Sequence, residues 1–537
     1  MQGTTQKPNI LWLIVDHMAF AGHYRQHLPD YHWPHLEALA DQGIWYERAY
    51  TTVPVCTPAR ASLMTGQRPS KHGLRWNPEY NILQNLQDFR KDERLFNHRL
   101  SEQGYHTSFV GKWHCGRKYL PVDYGMSGWS MPDYGNVYGC NEYKSYLKEL
   151  GLSQPSCHLD HQLFDPEMDG REVVMDPPEP WTYMDGCGVL QGDERAQEQF
   201  FVAHRAQQEL ATLQNGDEPW CMVASFWGPH HPYIPSESFA SKIDPATIKP
   251  YPSFSEDLSN KPLRYGIHRD LRCDFRAHER WPDWSTWQTV MARCYAQGLQ
   301  TDAAIGQLLA ALDASGDADN TLVIVTSDHG DAIASHGAGW DKYSTYTEEV
   351  GRVPLVMRWS EKIAVGERSK RLVSGVDITA TLVAAANADS SGLDGRDLLA
   401  NKTAGTTGIN QSDDQQDDGH LVVEHYGHSG DIAFQRIVYQ GDWKYVAAWG
   451  DNDEFYNLAD DPYELNCRLH DDTVSDVLRK LQQLALDDLH QERVLRQAEF
   501  PQTEMEYKLV VSNDRWPREE RLLQYKLEQL LKRSAGK

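Results

Sequence analysis

Short apolar runs that stop abruptly at polar residues narrow the folds open to this chain more than any other feature. Asn9 to Val15, Tyr105 to Val110, Trp220 to Phe226, Thr321 to Thr326 and Val353 to Trp359 are such runs. Lacking the alternation of a half-exposed strand, they read as strands buried on both faces, and the amphipathic stretches between them read as helices. The predicted class is α/β: a large, mixed, mostly parallel sheet sandwiched by helices over residues 1–400. In open sheets of this kind ligands gather beyond the carboxyl ends of the strands. Three of the five runs lead straight into polar residues able to do chemistry.

The remainder of the chain reads differently. Residues 401–419 are rich in Thr, Gly, Asn, Asp and Gln and are expected to form a linker. Residues 420–500 carry Leu421 to Val423, Ile432 to Tyr439 and Trp443 to Trp449, then helical spacing from Val474 to Val494. This predicts a smaller C-terminal α+β domain built on an antiparallel sheet. Residues 501–537 form a charged tail whose Leu522, Leu523, Tyr525, Leu527, Leu530 and Leu531 predict an amphipathic helix. Its stripe must bury against the body of the chain or against a second copy, and the second alternative would make a homo-oligomer. Two stretches, Pro121 to Asp193 and Pro229 to Trp287, fit no simple alternation of strand and helix and are expected to cover the mouth of a site.

Acidic residues number 77 against 52 basic ones, a net charge of −25. That field opposes nucleic acids and anionic membranes, and any site for an anion must be locally basic. Nine cysteines with no Cys-x-x-Cys pair argue against a structural zinc site and a disulfide framework. No apolar run is long enough to span a bilayer, and Met1 to Pro8 does not resemble a signal peptide. The expected location is cytoplasmic, or periplasmic or secreted if a leader has been removed.

Cys56-Thr57-Pro58-Ala59-Arg60, continuing through Ala61-Ser62-Leu63-Met64-Thr65-Gly66, is the most specific motif. Pro58 suits the first turn of a helix, Arg60 lies one turn in, and a helix N-terminus favours an anion. Asp16 closes the first run, and Asp328-His329-Gly330 follows the fourth. Two carboxylates and an imidazole brought to neighbouring strand ends beside Cys56 make a divalent cation site.

These residues resemble the signature of type I, formylglycine-dependent sulfatases of the alkaline phosphatase superfamily, which include arylsulfatases and phosphonate monoester hydrolases. The similarity extends to Gly111-Lys112-Trp113-His114, Pro229-His230-His231-Pro232, Asp341-Lys342, Glu348-Glu349 and Arg352-Val353-Pro354-Leu355. It continues through Gly441-Asp442-Trp443-Lys444-Tyr445 and Glu454-Phe455-Tyr456-Asn457-Leu458.

The resemblance implies that Cys56 is oxidised to formylglycine by a formylglycine-generating enzyme, giving a hydrated aldehyde as nucleophile. It implies one divalent metal, calcium or manganese, with zinc also open, held by Asp16, Cys56, Asp328 and His329. Arg60 would hold the nucleophile, Lys112 and Lys342 the sulfate oxygens. His230 or Lys342 would protonate the leaving oxygen, and His114 would take a proton from the nucleophile. The implied activity is hydrolysis of aryl or carbohydrate sulfate monoesters; the alternative is a phosphonate monoester or phosphodiester hydrolase with the same nucleophile. The chain departs from many sulfatases in carrying His17 after Asp16 and His329 after Asp328. An imidazole ligand shifts preference toward manganese or zinc.

Three weaker signals remain. Arg264, Arg269, Arg272, Arg276 and Arg280 are followed by Trp281, Trp284 and Trp287, either as a substrate surface or as an insertion paired to surplus carboxylates. His425 and His428 are expected either in the pocket or at the domain junction, and His336 behind the metal ligands.

Overall fold

The first run folds as β1 (Asn9–Asp16), buried along its whole length. Leu11, Leu13 and Val15 enter one hydrophobic core and Ile10, Trp12 and Ile14 another, so the unalternated sequence reflects a strand with two covered faces. The computed structural model describes residues 7–78, 88–163, 165–176, 184–272, 283–342, 345–400, 419–428 and 433–499. The expected linker 401–419, apart from Gly419, and the expected tail 501–537 therefore lie outside the described residues, as do Arg276, Arg280 and Trp281.

The chain continues through β2 (Ile44–Tyr50), β3 (His106–Lys112) and β4 (Ser127–Met131). A separate three-stranded antiparallel sheet follows, made of β5 (Ser156–Gln162), β6 (Glu172–Val174) and β7 (Gly186–Gln191). The main sheet resumes with β8 (Trp220–Pro229), β9 (Thr321–Ser327), β10 (Arg352–Val353), β11 (Leu355–Arg358) and β12 (Glu367–Ser374). Its order is β10-β2-β11-β9-β1-β8-β3-β4, with β12 also pairing β2. From β9 to β4 every pairing is parallel.

The fifth apolar run does not extend the parallel set. Pro354, which has no N–H for a ladder, separates β10 from β11, and both run antiparallel to β2. Strand β2 is one that its sequence hides, because Glu47 and Arg48 interrupt its apolar character.

Helices cover both faces. Those that bear on the site are α1 (Cys56–Thr65), α2 (Glu198–Gln214), α3 (Trp284–Ser315) and α4 (Gly375–Ala385). After residue 419 come β13 (His420–His425), β14 (Phe434–Gln440), β15 (Trp443–Trp449) and β16 (Glu454–Asn457), a four-stranded antiparallel sheet backed by α5 (Ser475–Glu499).

The small sheet is locked to the large one by apolar and ionic contacts. Tyr50 and Tyr346 pack with Val423, Ile437 and Tyr439. Arg68 pairs with Glu424 at 2.7 Å and Asp488 at 2.5 Å, while Arg436 reaches Asp488 at 3.0 Å. Buried charges held in such a network tolerate the loss of no single member, since the survivor is left unpaired.

Candidate active site

Four adjacent strands deliver the chemistry. In the order β9-β1-β8-β3, Ser327 lies opposite Val15, Asp16 opposite Pro229, and Ser225 opposite Gly111. The carboxyl ends are nearly level, so Asp328 and His329, Asp16 and His17, His230 and His231, and Lys112 to His114 emerge together. Gly111 is required there: its φ is 109°, and a Cβ would come within 1.9 Å of the Ser225 carbonyl oxygen. Beyond the strands the backbone turns sharply, and His17 (φ 69°) and His114 (φ 48°) occupy the left-handed region. Non-glycine residues held there are a signature of functional loops.

Helix α1 starts at Cys56 with all ten of its residues buried, and stops at Gly66, whose φ of 68° supplies the left-handed cap. Cys56 thus presents its Sγ from a helix N-terminus toward the strand ends. Its Sγ lies 3.1 Å from His329 Nε2 and 3.9 Å from Asp16 Oδ1. The donor atoms of Asp16, Cys56, Asp328 and His329 all fall within 4.8 Å of one another.

This donor set suits a cation. His329 Nδ1 is 2.8 Å from the Gly330 carbonyl oxygen and donates to it, which leaves a lone pair on Nε2 aimed into the cluster. From Nε2 to Asp16 Oδ1 and to Asp328 Oδ1 is 3.8 Å in each case, too long for hydrogen bonds and suited to ligands sharing one ion.

Arg60 closes the group from behind. Its Nε donates to Asp328 Oδ2 at 2.7 Å, and its Nη1 to the Lys112 carbonyl at 2.9 Å and Ser225 Oγ at 2.8 Å. Nη2 has no hydrogen-bond partner among the described residues and lies 3.8 Å from Asp16. Lys112 donates to Asp16 and sits 3.9 Å from the centroid of the Tyr134 ring. Burial alone would raise the Asp16 pKa, but Lys112, His230, Arg60 and His329 hold it well below the ordinary carboxylate range.

A second cationic point lies across from Cys56. Lys342 Nζ is 3.0 Å from Asp341 Oδ1 and 3.2 Å from His230 Nε2. Burial opposes its charge, yet Asp341, Cys56 and Asp16 raise its pKa well above the usual lysine value. His230 goes the other way: burial, then His231 and Lys342, lower its pKa well below the ordinary imidazole value. Its Nδ1 donates to the His231 carbonyl at 2.7 Å, so Nε2 accepts from Lys342. His17 packs against His230 at 4.5 Å between ring centroids and faces Asp341 at 3.2 Å.

Both groups open on one cavity of about 610 Å³ lined by Cys56, His114, His230, Asp341, Lys342 and His428, among others. The stretch Pro121 to Asp193 contributes Asp133 to Tyr138, and Pro229 to Trp287 contributes His230 to Pro232 and Ile234. The structure therefore brings together every residue singled out in the sequence for the metal, the anion and the protons. It adds Tyr134, Glu198 and Trp227, which belong to no motif and carry no signal in a single sequence.

The weaker signals divide. His428 reaches Asp341 at 3.1 Å, whereas His425 turns to Gln435 within the small sheet at 2.9 Å. Arg264 pairs with Asp451 at 3.3 Å, as expected of an insertion anchored by surplus carboxylates. His336 pairs with Glu256 at 3.1 Å and faces Glu349 at 3.6 Å.

Burial and Lys261 oppose protonation of His336, but Glu256 and Glu349 raise its pKa from 6.5 to about 9. A raised histidine stabilises the fold fully below its unfolded value and loses that contribution as pH rises through the folded one. The stabilisation, on the order of 3 kcal/mol, should therefore fade between pH 6.5 and about 9. Melting temperatures across that range should fall more steeply for the native chain than for His336→Gln. Parallel curves would show that His336 is not charged in the fold.

The family model described as Sulfatase matches residues 8–388, and one described as N-sulphoglucosamine sulphohydrolase, C-terminal, matches residues 335–492. The chain is 27% identical over 490 residues to the uncharacterized sulfatase YidJ of Escherichia coli, covering 90% of this chain and 87% of that one. It is 26% identical over 488 residues to a choline-sulfatase of Rhizobium meliloti, covering 86% and 82%. Among solved structures, the phosphonate monoester hydrolase of Silicibacter pomeroyi superposes with a TM-score of 0.69 at 18% identity, covering 90% and 96%. At that identity the last likeness speaks for the fold alone.

Proposed function

The chain belongs to the sulfatase family of sulfuric ester hydrolases, and we propose that it cleaves aryl or carbohydrate sulfate monoesters with Cys56, oxidised to formylglycine, as the source of its nucleophile. One observation carries this reading: residue 56 stands at a buried helix N-terminus between the Asp16, Asp328 and His329 donors and a cavity walled by Lys342 and His230.

Asp16, Asp328, His329 and the side chain of residue 56 would hold one divalent cation, calcium, manganese or zinc, the imidazole favouring the last two. When bound, the cation supplies Lewis acidity toward the ester and the oxidised side chain supplies the attacking oxygen. Everything else falls to residues of this chain. Arg60, fixed by Asp328 and Ser225, adds positive charge behind residue 56. Lys112 and Lys342 provide the potential that holds an anionic group in an otherwise acidic protein. Lys342 carries the proton destined for the leaving oxygen, and His230 keeps it aimed by accepting at Nε2. His114, on the cavity wall, takes a proton from the side chain of residue 56.

The residue ranges 1–400 and 420–500 are proposed as catalytic domain and small domain, with 401–419 between them. The formylglycine-generating enzyme is the maturation partner this reading requires. Among the described residues, no helix is long and apolar enough to cross a membrane.

Measuring kcat/KM for 4-nitrophenyl sulfate, a sugar sulfate, a phosphonate monoester and a phosphodiester on one preparation tests the proposal. Sulfate monoesters should lead. A clear preference for either phosphorus ester would replace this reading with the alternative hydrolase.

A further inference from the structure

On the cavity wall away from residue 56, the polar side chains are largely committed to the framework. Gln197 accepts from the Tyr138 hydroxyl at 3.0 Å, and Gln199 from Gln300 at 2.9 Å. Gln297 accepts from the Ile234 N–H at 2.7 Å and donates to the His230 carbonyl at 2.9 Å. Trp227 donates to the Tyr134 carbonyl at 2.7 Å, and Arg117 pairs with Asp133 at 2.9 Å. Glu198 differs. It is the first residue of α2, half-buried and lining the same cavity, and its carboxyl group makes no hydrogen bond or ion pair with any described residue.

We propose that Glu198 reads a cationic amino group on the alcohol half of the substrate, so that the site favours sulfate esters of amino sugars or amino alcohols with a free amine. The inference rests on the sulfatase reading given above and names its substrate class.

Three features select an ammonium over a hydroxyl. First, Lys112, the cation whose charge acts on Glu198, is already ion-paired with Asp16. Glu198 is thus an acidic group left unpaired on this wall, and a ligand cation would pair with it. Second, Tyr138 and Trp227 border the same space and offer aromatic surface, which attracts an ammonium and gains nothing special from a neutral hydroxyl. Third, burial, with Asp16 adding to it and Lys112 opposing, pushes the carboxyl up to about 8. A neutral ligand would face a largely protonated acid, whereas an ammonium holds the group ionised and gains a charge-assisted hydrogen bond.

The test uses pairs of esters that differ in charge and little else: D-glucosamine 6-sulfate against D-glucose 6-sulfate, and 2-aminoethyl sulfate against propyl sulfate. With the native, fully matured protein, kcat/KM should favour the amine in at least one pair by about 30-fold or more. Glu198→Gln, which keeps the shape and removes the charge, should cut that preference to about threefold and leave 4-nitrophenyl sulfate within about threefold of native. Calorimetric binding of the same pairs to Cys56→Ala, with and without Glu198→Gln, reads the contrast with no turnover required. A binding contrast that persists while sulfates are not hydrolysed would sustain this inference and remove the activity. Equal handling of both members of both pairs would overturn it. So would a uniform loss on all esters in Glu198→Gln, which would mark Glu198 as a support for Lys112.

Discussion

Replacing Cys56 with alanine is expected to lower turnover of a sulfate ester by about 10⁴-fold or more, the scale of losing a nucleophile. The fold should survive. Position 56 opens α1, where alanine is well tolerated, and what is removed is one sulfur atom whose nearest partners, His329 and Asp16, are held independently by Gly330 and Lys112. Near-native melting with vanished activity would therefore isolate chemistry from stability. Mass spectrometry of the peptide carrying residue 56 supplies the second half of the test. In active protein, CH2SH should have become CHO, and activity across preparations should scale with the converted fraction. Full activity in protein whose Cys56 remains a thiol would end the formylglycine reading.

What the sequence disclosed follows from where the determining interactions lie. β1, β3, β8 and β9 are legible because a strand covered on both faces must be apolar throughout, and that is a local property. β2 is not, since Glu47 and Arg48 are only half-buried and break the run. The direction of β11 is not legible either: antiparallel pairing with β9 and β2 depends on how the chain returns after Lys342, which no local pattern records.

The site divides in the same way. Asp16 and Lys112 close their strands and His230 and Asp328 directly follow theirs, so topology alone gathers them. Tyr134 and Glu198 come from an insertion and from the start of α2, and meet the cavity only through tertiary packing. Asp341 and His428 join across the two sheets at 3.1 Å, although 87 positions separate them in sequence.

The charge balance, which sets this acidic chain against an anionic substrate, resolves at the scale of single groups. Asp16 and Asp341 neutralise Lys112 and Lys342 in the ground state. An arriving sulfate must compete with these carboxylates for the same ammonium groups. That competition gives the lysines their roles: fixed in place before binding, they are already desolvated and need not be ordered by the substrate.

Lys342→Met is expected to expose the proton transfer. The Lys342 ammonium is held by Asp341 and donates to His230 Nε2, while His230 has committed its own proton to a carbonyl. The proton for the leaving oxygen is therefore on Lys342. An ammonium with a raised pKa is a weak acid, strong enough for an alkoxide and unnecessary for a leaving group that is stable as an anion. Lys342→Met should reduce kcat/KM for an alkyl or sugar sulfate by about 10³-fold. For 4-nitrophenyl sulfate the loss should be about tenfold, reflecting only weaker binding of the sulfate. His230→Asn removes the acceptor and keeps the ammonium, so its two losses should be smaller and closer together. If instead Lys342→Met lowered both esters equally while His230→Asn separated them, His230 would be the acid and Lys342 a clamp on the sulfate. In that case the proton would have to reach His230 Nε2 during the reaction, against the burial that keeps the ring neutral beforehand.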